Sequence, residues 1–273
     1  MIPAGRPFYK MSGSGNDFVV VDARSEPPGR LAEAGEIQRV CARGTGVGAD
    51  GIVFLEPSRE AAVRLTYLNS DGSRAEFCGN ATLCTTRLSA ELGIGSADGL
   101  LIETDSGLVA ARIGQWGPEI DLQPVNEVRS EAGLPLAKNE RKMGYAVVGV
   151  PHLVTLCDDV EVVDVVGRGR PLRHDQSLPR GANANFVSRG SNGSGWRLRT
   201  YERGVEAETL ACGSGAVATA ILLTIWGQAS GLVELETRSG RVLRVRLSRS
   251  EELWNPTLIG EGRVVFKGTL SEI

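Results

Sequence analysis

The sequence predicts two α/β domains, each with a β-sheet packed around one long helix. Three observations predict this. A frame recurs: Thr66-Tyr67-Leu68-Asn69 leads to Phe77-Cys78-Gly79-Asn80-Ala81, and Thr200-Tyr201-Glu202-Arg203 leads to Ala211-Cys212-Gly213-Ser214-Gly215-Ala216. The Tyr-to-Cys spacing is eleven residues in both copies, which lie 134 residues apart in a chain of 273. That length suits two domains of about 130 residues each. Strand-like segments also dominate, with one long helix after each Cys-Gly, which is not the strict alternation of a βαβ array.

In chain order, Phe18–Asp22 is an apolar run after a Gly/Asn turn and reads as a strand. Leu31–Arg43 reads as a helix, with Leu31, Ala34, Ile37 and Cys41 on one face and Gly44 as its stop. Gly51–Leu55 and the alternating Val63–Leu68 are strands, the second ending at the turn Asn69-Ser70-Asp71-Gly72. Gly79–Leu92 is a helix ended by Gly93, and Leu100–Thr104, Leu108–Ile113 and Glu119–Leu122 are strands. The stretch around Pro118 and Pro124 is the expected linker. Beyond it, Tyr145–Val150 is a strand, while Val160–Val166 is β-branched but broken by charges and fits strand or helix. Asn185–Ser188 and Trp196–Tyr201 flank a Gly/Ser-rich hairpin at Arg189–Gly195. Gly213–Trp226 is a helix, and Val233–Thr237, Val242–Leu247 and Arg263–Phe266 are strands. The expected domains are 1–120 with the closing strand 264–273, and 121–263.

Composition removes several function classes. Hydrophobic residues make up 41% and charged residues 23%, an ordinary globular balance. A net charge of −3 leaves no basic footprint for nucleic acid. The longest apolar stretch, Ala216–Trp226, is too short to span a bilayer. Met1–Arg6 lacks a following apolar segment, so no secretory signal and a cytoplasmic location are expected. Five cysteines form an odd set and match no zinc spacing, even with His152 and His174, so neither a disulfide framework nor a metal is expected. The sequons at Asn80 and Asn192 are then only formal.

The chemistry concentrates at the two cysteines. A strand, a turn and a helix start place each thiol. A helix N-terminus carries about half a positive charge, favours anions and lowers a nearby thiol pKa. Two such thiols suit a reaction needing an acid and a base on opposite faces of one carbon. Cys41, Cys84 and Cys157 lack the frame and read as core. Gly46-Val47-Gly48-Ala49-Asp50-Gly51 matches a dinucleotide string, but its order is helix, glycines, strand, so it reads as a structural loop. Glu202-Arg203 fits a surface ion pair or a clamp for an ammonium and a carboxylate. Asn16, Asn69, Asn183 and Asn185 sit near strand and turn junctions, where turn-making and substrate binding both call for amides.

At these residues the sequence resembles the diaminopimelate epimerases, a pyridoxal-independent racemase family. The matching pieces are Lys10-Met11 through Asn16-Asp17-Phe18-Val19, Gly46–Asp50, Asn69–Ser73, Cys78-Gly79-Asn80-Ala81, Pro151-His152, Asn183–Phe186, Tyr201–Gly204 with Glu208-Thr209, and Ala211–Ala216. The resemblance implies two pseudo-symmetric domains, each a curved, mostly antiparallel sheet wrapped around a central helix, with the site between them. It implies Cys78 and Cys212 as the base-acid pair and no cofactor. The reactive carboxylate would rest on the N–H groups of Gly79-Asn80 and Gly213-Ser214, and Asn16, Asn69, Asn183, Glu202 and Arg203 would hold the rest of a small amino-acid substrate. It allows a homodimer. Three positions depart from the family: Val150 replaces the Asn before Pro-His, Gly51 replaces a frequent Gln, and Leu83 replaces Arg before Cys84. The expected reaction is conversion of LL-diaminopimelate to the meso form, for lysine and peptidoglycan synthesis. The alternatives are a racemase of the same family acting on another amino acid, a thiol redox protein, and a binding protein.

Overall fold

The computed structural model describes residues 5–96, 98–190 and 195–271. The tip of the expected 189–195 hairpin, with the Asn192 sequon, and the last two residues of the expected closing strand lie outside them. The chain forms two compact units, one up to Ile120 and again from Gly260, the other Asp121–Ile259. The return to the first unit begins at Gly260 rather than at 264, because the Gly260 N–H already donates to Pro118 O at 3.3 Å.

The first unit contains β1 (Arg6–Gly13), β2 (Asn16–Asp22), α1 (Ala34–Cys41), β3 (Gly51–Glu56), β4 (Val63–Asn69), α2 (Gly79–Glu91), β5 (Leu100–Thr104), β6 (Gly107–Gly114) and β7 (Gly117–Asp121). The second contains β8 (Val128–Arg129), β9 (Glu140–Val148), β10 (Val150–Cys157), α3 (Val165–Arg173), β11 (Asn183–Arg189), β12 (Trp196–Glu202), β13 (Ala207–Thr209), α4 (Gly213–Ile225), β14 (Leu232–Thr237), β15 (Val242–Ser250) and β16 (Leu253–Ile259). The closing strand β17 (Arg263–Leu270) pairs antiparallel with β1.

The two units share one plan. In the first, β1–β2 is antiparallel, β2–β3 parallel across α1, β3–β4 antiparallel, β4–β5 parallel across α2, and β5–β6–β7 antiparallel. In the second, β9–β10, β10–β11, β11–β12, β12–β14 and β14–β15–β16 repeat that sequence of senses with α3 and α4 as the crossovers. Parallel neighbours need such crossovers, so each antiparallel run carries two βαβ steps.

In each unit the second helix is the axis. Helix α2 packs against β6 and β4 and also against β2, β1 and β17, which come from opposite ends of the strand order, so the sheet curls around it. Helix α4 does the same with β15 and β16 and with β9, β10 and β11. Ten of the thirteen α4 residues are buried, so it has no solvent face and reads as apolar all round. Helix α2 is enclosed too, yet carries Thr82, Thr85, Thr86 and Ser89. Thr82 Oγ1 and Thr86 Oγ1 satisfy themselves on the carbonyls four residues back, at 2.9 and 2.8 Å. The outer face of the first sheet is covered by α1 and the turn before it, where Leu31, Ile37 and Val40 meet Val19, Val21, Ile52 and Phe54. Helix α3 covers the second through Val165 and Leu172 against Phe186 and Tyr201. Strands buried on both faces read as continuous apolar runs, which is why β2 and β3 stand out in the sequence.

Several elements differ from expectation. Leu31 sits in a separate 3-10 turn (Gly29–Ala32), and α1 starts only after Glu33, whose ψ of 137° is extended. Val160–Val166 resolves to a 3-10 turn and the start of α3, because Asp159 and Asp164 accept the N–H groups of Glu161 and Gly167, both at 2.9 Å. Strand β1 is hidden in the sequence by Arg6 and Lys10, each only 7% exposed. Arg6 donates to Glu26 O at 2.5 Å, and Lys10 to Asp17 at 2.6 Å and to Gly48 O. Strand β10 is masked by its opening Val150-Pro151-His152, and β16 by Pro256.

Candidate active site

Each thiol stands at the N-cap of its unit's central helix. Cys78 precedes α2 with φ −139° and ψ 111°, and Cys212 precedes α4 with φ −132° and ψ 110°. The first intrahelical bonds at these ends are Thr82 N–H to Cys78 O (2.9 Å) and Ala216 N–H to Cys212 O (3.0 Å). The N–H groups of Gly79-Asn80 and Gly213-Ser214 precede those bonds and have no acceptor within their helices. Neither cysteine side chain caps its helix. Each unit therefore offers a thiol beside an anion-binding helix end.

In the first unit, Asn80 and Asn16 are brought together. Asp50 Oδ2 accepts from Asn16 Nδ2 at 3.1 Å, and Asn16 Oδ1 accepts from Asn80 Nδ2 at 2.5 Å. A carboxylate only accepts, so Asp50 fixes which way the Asn16 amide faces, and Asn16 then fixes Asn80. Asn80 Oδ1 is left as a buried acceptor that no protein donor satisfies. Asp50 is held by Arg43 (2.8 Å) and by the Asp17 N–H (3.1 Å). Asp17 in turn takes Lys10 and Arg43; burial opposes its ionisation, but these two cations hold its carboxyl below the usual range. Asn69 spends its amide on its own turn, Nδ2 to Ser73 Oγ at 3.0 Å, and the next N–H, Ser70, bonds Asp50 O at 2.9 Å.

In the second unit, Asn185 is the hub. Its Nδ2 donates to Leu153 O at 2.9 Å and faces His152 Nδ1 at 3.2 Å, while its Oδ1 accepts from Thr200 Oγ1 at 2.9 Å. A carbonyl only accepts, so Nδ2 is the donor, and His152 Nδ1 must be the lone-pair nitrogen. The histidine proton then sits on Nε2, which has no protein partner and is fully buried. Burial, with the positive charge of Arg203 added, lowers the His152 pKa to about 3, so the ring is neutral. Asn183 Oδ1 accepts the Arg203 N–H at 2.7 Å, and Arg203 Nη1 donates to Arg180 O at 3.0 Å. A Cβ at Gly215 would lie 2.3 Å from Asn185 Oδ1 and 3.2 Å from Cys212 Sγ, so this glycine lets the amide and the thiol approach the third residue of α4. Ser214 Oγ is 3.6 Å from Cys212 Sγ.

The other cysteines are core. Burial pushes the Cys41 and Cys157 thiols up to about 11 and about 12, and Cys84 well above its ordinary value. No cluster of three or more His, Cys, Asp or Glu among the described residues is arranged to hold a metal ion. The glycine string at 46–51 is a loop from α1 into β3, where Gly46 is required because a Cβ would lie 2.1 Å from Arg39 O.

The diaminopimelate epimerase family model matches residues 8–127 and 144–253. The diaminopimelate epimerase of Gemmatimonas aurantiaca is 50% identical over 97% of this chain and 99% of its own, and that of Aquifex aeolicus is 40% identical over 97% and 98%. The chain belongs to the diaminopimelate epimerase family. It is thus an isomerase of the epimerase class. The fold is shared more widely. A hydroxyproline epimerase from Agrobacterium vitis superposes with a TM-score of 0.69 at 16% identity, covering 98% of this chain and 93% of that one. A phenazine biosynthesis protein of the PhzF family from Bacillus anthracis reaches 0.70 at 15%, covering 97% and 98%.

Against the family pattern, Gly51 has a packing reason: a Cβ there would lie 2.5 Å from both Leu68 O and the Tyr67 ring. Leu83 is wholly buried and Val150 opens β10, half-buried. From sequence, His152, Thr200 and Asp50 carry no site role, and Asn185 appears only among the amides that fit turn-making or substrate binding. Pro151-His152 and Asn183–Asn185 were the signals for two of them. Thr200 lies in the recurring frame and Asp50 in a family-matching piece, but neither signal gives the residue a role, because both act through partners distant along the chain.

Proposed function

We propose that this protein epimerises LL-diaminopimelate to the meso form at an α-carbon, without a cofactor, using Cys78 and Cys212 as the acid-base pair. The observation that carries the reading is the equivalence of the two thiols, each the N-cap of the central helix in one of two units with the same strand order. One thiolate takes the α-proton, the other thiol returns a proton to the opposite face, and the roles exchange with the handedness of the substrate. Charge left on carbon spreads into the carboxylate, which the N–H groups of Gly79-Asn80 and Gly213-Ser214 receive. Preorganised donors of this kind are worth about 3 kcal/mol each. Asn16, Asn69, Asn183, Glu202 and Arg203 hold the ammonium and distal groups. Arg203 suits a carboxylate and Glu202 an ammonium.

The test is turnover of LL-diaminopimelate by the reduced protein with no pyridoxal phosphate, alongside a panel of other amino acids. Cys78→Ala and Cys212→Ala are each expected to abolish epimerisation, while Cys41→Ala and Cys157→Ala retain it. Full activity in either of the first two variants sinks the assignment. Faster α-proton exchange with another amino acid would move the substrate and leave the chemistry.

A further inference from the structure

The turn between β12 and β13 follows Glu202, carries Arg203 and ends on a strained residue. Glu206 has φ 57°, in the left-handed region that side-chain-bearing residues seldom adopt. Strain of this kind persists where surrounding contacts impose it. Here they converge on one carboxylate. Glu206 Oε1 accepts from the Gly204 N–H at 3.1 Å and from Arg173 Nε at 3.0 Å. Glu206 Oε2 accepts from Tyr201 OH at 3.3 Å and lies 3.2 Å from His174 Nε2. Its own N–H closes the turn on Glu202 O at 2.8 Å.

These partners come from β12, from the turn and from the C-terminal end of α3. Arg173 reaches the carboxylate past Gly181, where a Cβ would lie 2.0 Å from its guanidinium. The backbone of Arg203 is fixed from the other side by Asn183 Oδ1. The segment 202–206 is thus pinned at both ends, and Arg203 lies between the pins with its Nη1 donating to Arg180 O at 3.0 Å.

We propose that Glu206 is a positioning residue that sets the aim of Arg203, and through it the affinity for a substrate whose distal end carries a carboxylate. The inference rests on the reading of Arg203 given above. None of these Glu206 contacts is with a thiol or with the N-terminal ends of α2 and α4, so it acts on binding and not on proton transfer.

The experiment compares Glu206→Gln, Glu206→Gly and Arg203→Lys on the full chain, with LL-diaminopimelate as substrate. Glu206→Gly removes the backbone strain and the carboxylate together, so relieved strain offsets part of the lost contacts, and a melting curve checks that the variant is folded. Both Glu206 variants are expected to raise KM about tenfold or more, with kcat within about threefold of the parent, the pattern of lost uniform binding. Arg203→Lys raises KM as well, and combining it with Glu206→Gly adds little further, because both changes remove one interaction. A normal KM in Glu206→Gly would show a residue that serves only the turn and overturn the proposal. A raised KM in Arg203→Lys with normal Glu206 variants overturns the proposal alone. A normal KM in Arg203→Lys overturns the reading of Arg203 and the proposal with it.

Discussion

At the scale of single residues, the site depends on which atom of each amide or ring faces which partner. His152 shows this most sharply. Its folded pKa of about 3 lies below the unfolded value of 6.5, so the unfolded chain binds the proton first. Stability associated with His152 is complete above pH 6.5 and is lost as pH falls toward 3. The slope is at most about 1.4 kcal/mol per pH unit. Between pH 6.5 and about 4.5 most carboxylates are ionised in both states, so the two histidines dominate that window and the difference from a His152 variant isolates one of them. His152→Asn keeps an acceptor toward Asn185 without titrating, and it should flatten the urea-unfolding profile in that window. An unchanged slope would place a charged or solvated ring at 152.

The same reasoning gives Asp50 a role beyond charge. In Asp50→Asn, Arg43 claims the amide oxygen, so the NH₂ turns toward Asn16 and the Asn16–Asn80 chain inverts. The expected result is a fall in kcat/KM of about tenfold or more, since a hydrogen bond to an ionised group is worth roughly 1.5–3 kcal/mol. Unaltered kinetics would mean that amide polarity is irrelevant at this helix end. Neither role was legible in the sequence. Both cysteines were, because a repeated frame of equal spacing is a one-dimensional signal. Asp50, Asn16 and Asn80 become one network only after β2, β3 and α2 come together.

At the scale of elements, the two central helices were legible from their apolar runs and their Cys-Gly starts. Three of the strands that were missed carry residues that local pattern penalises. Strand β1 buries Arg6 and Lys10 against acceptors that lie elsewhere in the chain, and β10 and β16 each contain a proline. Local pattern penalises such residues, and tertiary partners compensate them. Helix α3 and the 3-10 turn before it have caps in Asp164 and Asp159, but the β-branched neighbours obscured them and left the segment open between strand and helix. The start of α4 offers a test of fit. Gly215→Ala forces a methyl against Asn185 Oδ1, and Asn185 is pinned by Leu153 O and Thr200, so it cannot yield. Overpacking here should cost about 1–3 kcal/mol and reduce activity through Cys212. Gly35→Ala in α1, where a Cβ meets nothing within 4 Å, is the control and should stabilise by roughly 0.5–1 kcal/mol. Equal thermal stability of the two variants would refute this account of the α4 start.

At the scale of the whole molecule, the repeat at an offset of 134 residues announced a duplicated plan, and the pairing senses of β1–β7 and β9–β16 carry it through strand by strand. The duplication assigns one thiol, one central helix and one helix N-terminus to each unit, while Asn183, Glu202 and Arg203, the proposed distal-end groups, belong to the second alone. On the proposed reading, inversion of the carbon uses the symmetric part, and Asn183, Glu202 and Arg203 add recognition from the asymmetric part. The central claim is that two different thiols handle the departing and arriving protons. The measurement that tests it most directly is the early partition of solvent deuterium when unlabelled LL-diaminopimelate is turned over in D₂O. Two bases predict that the inverted product carries one deuterium at the new centre while recovered substrate stays unlabelled at low conversion. Deuterium entering recovered substrate as fast as it enters product would show that one group both removes and returns the proton, and would contradict the paired roles of Cys78 and Cys212.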